Sequence, residues 1–209
     1  MPTRLSKIDE LTRPDHTFLE AGDDCYYLGE YTARAGFAFS GTNDLIQNLK
    51  KPMDRRGTPQ WKWKTWAISR SAEMLREAVP EQWLAQATFM PIPPSKTKEH
   101  PDYDSRLLQI LKKLGEGRQL DVRELVVMSE SIDPAHLTED PRSVRELVRK
   151  MKLDRAVAKS APEAICVFDD VLTTGAHFKA VQMFLKTEFP NVPMAGLFLA
   201  RRAPEASPI

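Results

Sequence analysis

The chain has 209 residues, 42% of them hydrophobic and 28% charged, with a formal net charge of +1. Those values fit a globular α/β protein with a real core, and they exclude a disordered chain, a coiled coil and a globally basic nucleic-acid binder. The longest apolar stretch, 192–200, is nine residues, against the ~20 that a membrane span requires. No apolar core near the start reads as a secretion signal. Cys25 and Cys166 form neither a disulfide framework nor a zinc spacing. The expectation is a cytoplasmic protein with no membrane contact.

Residues 1–18 are polar, contain one Pro-Asp turn signal and read as a loose lead-in. Aromatic and β-favouring residues over 25–40 predict one or two strands with turns at Gly29 and Gly36. Thr42 or Asn43 then offers a cap for a short helix over 44–49. Pro52, Gly57 and Pro59 break the chain, and a longer helix is predicted over 65–79. Residues 87–90 read as a buried strand ahead of the proline cluster at 91–94. Apolar residues at 107, 108, 110, 111 and 114 predict a helix over 105–114. A strand over 125–128, a loop over 129–141 and a cationic amphipathic helix over 142–153 follow. Then come a strand over 165–168, a helix over 176–187 and a last strand over 194–199. From residue 87 onward this alternation predicts a parallel sheet with helices on both faces. The first 85 residues do not follow it, so the chain divides into an N-terminal hood or lobe, 1–85, and a core, 86–209.

The chemistry concentrates in ICVFDDVLTTGAH, residues 165–177. Four apolar residues suit a central strand, and two aspartates follow near its C-terminal end, where open α/β sheets bind ligands. Thr173, Thr174 and Gly175 lead directly into a helix. Glycine lets the backbone approach a ligand, and helix-start N–H groups with two hydroxyls form an anion cradle. The neighbouring carboxylates would accept hydrogen bonds from sugar hydroxyls or hold a hydrated magnesium ion.

VFDDVLTTGAH resembles the phosphoribosyl pyrophosphate (PRPP) motif of type I phosphoribosyltransferases over about eleven positions. The resemblance implies that Asp169 and Asp170 contact the ribose 2′- and 3′-hydroxyls and hold Mg²⁺ through water. It also implies that Thr173, Thr174, Gly175, Ala176 and His177 wrap the 5′-phosphate. The family commonly has Thr or Ser where this chain has His177, so an imidazole stands in for a hydroxyl donor. The loop after the first core strand, FMPIPPSK at 89–96, with Tyr103, Asp104 and Arg106 beyond it, is similar to the ComF-like subgroup. By that likeness Ser95, Lys96, Lys98 and Arg106 bind pyrophosphate; otherwise the segment is a proline-rich surface loop with solvated lysines. The implied activity is Mg²⁺-dependent transfer of phosphoribose from PRPP to a nitrogen acceptor in nucleotide metabolism, with no identifiable general base. Many family members are homodimers.

Weaker signals lie elsewhere. Residues 48–70 hold seven Lys/Arg against one Asp, with Trp61, Trp63 and Trp66 interleaved with Lys62 and Lys64. This reads either as a single-stranded nucleic-acid groove or as tryptophans packed in the hood with lysines extended to water. A second cationic run from Arg142 to Lys159 reads as a solvated helix face. Asp23 and Asp24 read as turn residues or as a metal or partner site, and Cys166 as core. The rival functional expectation is a phosphoribosyltransferase-fold nucleotide or nucleic-acid sensor without salvage activity. Its relatives would be ComF-like DNA-uptake proteins or the phosphoribosyltransferase-like effectors found beside bacterial retrons in antiphage defence.

Overall fold

The computed structural model describes residues 4–132 and 141–204, with the backbone alone for 141 and 142. The eight strands are β1 (Ser6–Lys7), β2 (Asp24–Thr32), β3 (Ala87–Pro91), β4 (Asp121–Val122), β5 (Val126–Met128), β6 (Met151–Leu153), β7 (Ala164–Leu172) and β8 (Met194–Ala203). The helices are α1 (Gly41–Leu49), α2 (Trp61–Ala78), α3 (Glu81–Gln86), α4 (Arg106–Leu114), α5 (Pro141–Arg149) and α6 (Ala176–Glu188). Six strands form one mixed sheet in the order β1-β2-β8-β7-β3-β4, parallel throughout except for β1. The protein is thus α/β, with a mostly parallel sheet flanked by helices.

The chain leaves β3 through α4 toward β4 and leaves β7 through α6 toward β8, which lie on opposite sides of the β3–β7 pair. Right-handed crossovers then put α4 and α6 on opposite faces. The packing agrees: α4 lies against α2 and α2 against α1, whereas α6 lies against α5. The period that predicts α4 is its buried stripe, Leu107, Ile110, Leu111 and Leu114, each at most 6% exposed, and each contributes about 2 kcal/mol. On the other face the Phe178 ring of α6 meets Phe198 of β8 edge-on, with centroids 6.3 Å apart. Gly196 permits this approach, because a Cβ there would lie 3.1 Å from the Phe178 ring.

The parts before and after residue 85 share one sheet, in which β2 pairs with β8 at eight positions, and one apolar core. Several sequence expectations are corrected. Residues 1–18 are not loose where described: β1 pairs with β2, residues 13–15 form a 3-10 turn, and His16 is 1% exposed. Ser40, rather than Thr42 or Asn43, caps α1, and the buried Asn43 side chain instead bonds both backbone groups of Thr32. Helix α2 starts at Trp61, since nothing after Pro59 breaks it. The 125–128 strand stays outside the main sheet: β5 pairs antiparallel with β6, which takes residues expected to end a helix. Of the expected loop, 133–140 lie outside the described residues, as do His136 and the tail 205–209.

Candidate functional site

Because the chain diverges from β3 and β7, a crevice opens at their C-terminal ends, the switch point at which open α/β sheets bind ligands. Ile92 N–H donates to the Phe168 carbonyl at 2.8 Å, carrying the pairing past β3 and fixing where the proline loop departs. The result is a cleft of about 860 Å³ between that loop and the turn after β7, with Lys50 and residues 52–54 along one wall. Ser95, Lys96, Arg106, Asp169, Asp170, Thr173 and His177 line it; Lys98, Thr174, Gly175 and Ala176 do not.

Both aspartates lie inside β7 rather than after it, so they face opposite sides of the sheet. Asp169 is in register with Phe198, on the α6 face. Asp170 faces α1 and α4, and its Oδ2 accepts from Arg106 Nε at 3.0 Å and Nη2 at 2.7 Å. Lys50 Nζ lies 3.1 Å from the other oxygen. Arg106 also donates from Nη1 to Asp104 at 3.0 Å, and Asp104 accepts from Lys64 Nζ at 2.7 Å. Lys64, 1% exposed, donates as well to the carbonyls of Leu49 at 2.8 Å and Lys51 at 2.7 Å. A continuous charged chain therefore runs from α2 to the cleft.

Burial raises the Asp170 carboxyl, but Arg106 and Lys50 outweigh it and hold the group below the usual carboxylate range. Asp169 has no cation in direct contact, and burial together with the Asp170 charge pushes it up to about 7. Its Oδ1 accepts the Asp170 N–H at 2.7 Å. Three cations (Lys50, Lys64, Arg106) thus face the carboxylates of Asp104 and Asp170. Burial also lowers the pKa of His177, which favours a neutral imidazole.

The turn at 173–175 is pinned from behind by the N-terminal segment. His16 Nδ1–H donates to the Thr173 carbonyl in a short bond, and Phe18 N–H donates to the Thr174 carbonyl at 2.9 Å. In a trans peptide the N–H points opposite the C=O, so the Thr174 and Gly175 amides are turned away from this strap. Those two N–H groups and that of His177 have no acceptor among the described residues. Gly175 has φ +84°, and a Cβ there would lie 2.9 Å from Leu19 Cδ2. Gly175→Ala should therefore cost about 2 kcal/mol in urea unfolding with the m-value unchanged. An unperturbed midpoint would mean that Leu19 does not wedge the turn.

Other expected site residues are placed less simply. Lys96 lines the cleft with no ionic partner among the described residues, whereas Lys98 is 2.8 Å from Glu124 and outside it. Arg106 is already held by two carboxylates. Among the described residues no group of three or more His, Cys, Asp or Glu could hold a metal. Both Asp170 oxygens already face cations, so of this pair only Asp169 is left free of a cation contact. Asp23 is an anchor rather than a metal site: Glu20 N–H, Lys179 and Gln182 all donate to it, fastening α6 to the sheet. Lys50, Asp104, Lys64 and His16 were not marked as site residues. Asp104 had a sequence signal in its closeness to Arg106; the others meet the site only through tertiary packing.

The fold and site thus define an α/β protein with a polar crevice at the switch point of a mostly parallel sheet. No protein-family model matches the chain, and no curated protein matches it. No helix among the described residues is long and apolar enough to cross a membrane.

Proposed function

We propose that the cleft binds PRPP or a related ribose phosphate, and that the protein transfers the phosphoribosyl group to a nitrogen acceptor with release of pyrophosphate, as a type I phosphoribosyltransferase-like enzyme. The observation that carries this reading is the pinned turn at 173–175, which begins α6 with unpaired N–H groups at the edge of the switch-point cleft that Thr173 and His177 line. Such a turn receives a phosphate. Across the cleft, Lys96 and the neighbouring Ser95 supply donors for a diphosphate. Asp169 also lines the cleft, where it would accept from ribose hydroxyls, and Arg106, held by Asp170 and Asp104, adds fixed positive charge.

In the reaction the bond from ribose C1 to the diphosphate oxygen breaks, and the electron pair leaves with pyrophosphate. The acceptor nitrogen forms the new bond to C1 and its proton passes to solvent. Protein groups contribute positioning and stabilisation of the departing charge. Magnesium belongs to the substrate here, arriving on the diphosphate.

Calorimetric titration with PRPP and magnesium tests the reading. Micromolar binding is expected, weakened at least tenfold by Lys96→Ala and by Asp169→Asn. No binding to the wild type at millimolar PRPP would remove the assignment. Binding without pyrophosphate release across a panel of nitrogen bases would favour the sensor reading, for which the same cleft reports a nucleotide.

A further inference from the structure

We propose a second site, independent of the cleft: the face built by residues 37–39 and the first turns of α2 binds single-stranded nucleic acid by base stacking. Phe37, Phe39, Trp63 and Trp66 are 50%, 57%, 48% and 41% exposed, and among the described residues they are the only exposed large aromatics. Trp63 and Trp66 meet edge-on with centroids 6.5 Å apart. Phe37 and Trp63 line one open groove of about 540 Å³ with Lys51, Gln60, Asn48 and Asp44, whose carboxylate accepts from the Asn48 amide at 2.9 Å. Cations sit over these rings: Lys51 Nζ is 5.4 Å from the Phe37 centroid and Lys62 Nζ is 5.1 Å from that of Trp63.

The structure narrows the cationic stretch as well. Lys64 is buried, Lys50 faces Asp170 and Arg70 pairs with Glu73. Arg55 lies 3.7 Å from Asp54, which leaves Lys51, Arg56 and Lys62 on this segment to meet phosphates. The expectation that the tryptophans pack internally fails for Trp63 and Trp66.

The surface chemistry favours nucleic acid over a protein partner. Among the described residues the exposed large aliphatic side chains, Leu11, Val157 and Met183, belong to other segments. A protein-docking patch combines aliphatic and aromatic side chains in a desolvated centre. Aromatic faces with interleaved cations are what unpaired bases and their phosphates require. The exposed Gln60 amide adds a group that can both donate to and accept from a base edge.

Lys50 and Lys51 are consecutive, yet one lines the cleft and the other the groove. A strand held on the groove therefore runs close to the cleft without occupying it.

The test is fluorescence anisotropy of the full chain with a labelled twelve-nucleotide oligothymidylate, in parallel with a duplex of the same length, at low and physiological salt. The expected result is micromolar single-strand binding, weaker duplex binding and quenched tryptophan emission. Phe37→Ala and Trp63→Ala should each weaken binding about tenfold, with thermal midpoints unchanged because both rings are half in water. Lys62→Ala and Arg56→Ala should each reduce the log–log salt slope by about 0.7. The proposal is overturned by no binding at low salt, by affinity indifferent to Phe37→Ala and Trp63→Ala, or by equal affinity for duplex. A dimer in sedimentation that Trp63→Ala dissociates, without oligonucleotide binding, would also overturn it and assign the face to a second copy of the chain.

Discussion

Lys64→Met should lower the thermal midpoint by roughly 10 °C, the largest stability loss expected from any single lysine here. The ammonium is 1% exposed and donates to Asp104, to the Leu49 carbonyl and to the Lys51 carbonyl. Methionine keeps the length and apolar stem but leaves two carbonyls without their donor and Asp104 with Arg106 as its remaining cation. Breaking a buried ion pair from one side costs about 3–5 kcal/mol, and each kcal/mol moves the midpoint by about 2–4 °C at this chain length. Burial lowers the lysine pKa, and Asp104 offsets only part of that. Adding Asp104→Asn should cost less than it does alone by about 1–3 kcal/mol, because its interaction with Lys64 is already gone. Strictly additive losses would show that Lys64 and Asp104 do not form the pair described.

Asp169→Asn and Asp170→Asn should act in opposite directions on stability, although the residues are adjacent. Asp170→Asn strips the counter-ion from Arg106 and Lys50 and should cost about 3 kcal/mol throughout pH 5–8. Asp169→Asn removes a carboxyl that the fold prefers protonated. An unfolded aspartate titrates near 3.9, whereas in the fold burial and the Asp170 charge raise Asp169 to about 7. Between those values the folded protein holds a proton that the unfolded chain has lost, so wild-type stability falls as pH rises from about 4 to about 7. The asparagine variant lacks that slope and should exceed the wild type by about 2 kcal/mol at pH 8, with no difference at pH 4. Urea midpoints of both variants at pH 5 and 8 decide this. A wild type that gains on Asp169→Asn as pH rises would place Asp169 among the stabilising carboxylates. The same data determine which substitution reports on ligand binding: Asp170→Asn confounds the pocket with the fold, and Asp169→Asn does not.

Much of the core strand-and-helix order was legible before folding. The α4 and α6 periods and the buried runs at 87–90 and 165–168 follow from local patterns of apolar residues, and β3, β7 and β8 take those places in the parallel sheet. Less legible was the N-terminal contribution. Nothing local in 24–32 announces that it pairs with 194–203, since parallel strands far apart in sequence leave no turn signal between them. The lead-in misleads in the same way: polar residues 9–16 look solvated, yet His16 is buried because its ring meets the Thr173 carbonyl 157 positions away.

The site divides similarly. Thr173, Thr174 and Gly175 could be singled out from sequence because a glycine turn before an amphipathic helix is a local arrangement, with a positive φ that glycine adopts without strain. The two aspartates could be found but not told apart. Alternation along β7 sends one to the α6 face and the other to Arg106, and only the packing of α1, α2 and α4 against that second face supplies the cations that ionise it. Composition, periodicity and one local motif therefore determined the α/β class, the core elements and the position of the crevice. Tertiary structure alone decided which charges are free, because an ion pair depends on side chains brought within about 3 Å from segments with no sequence relation. Arg106, marked as a ligand group, is committed to Asp170, Lys64 has left the surface, and Lys96 remains available.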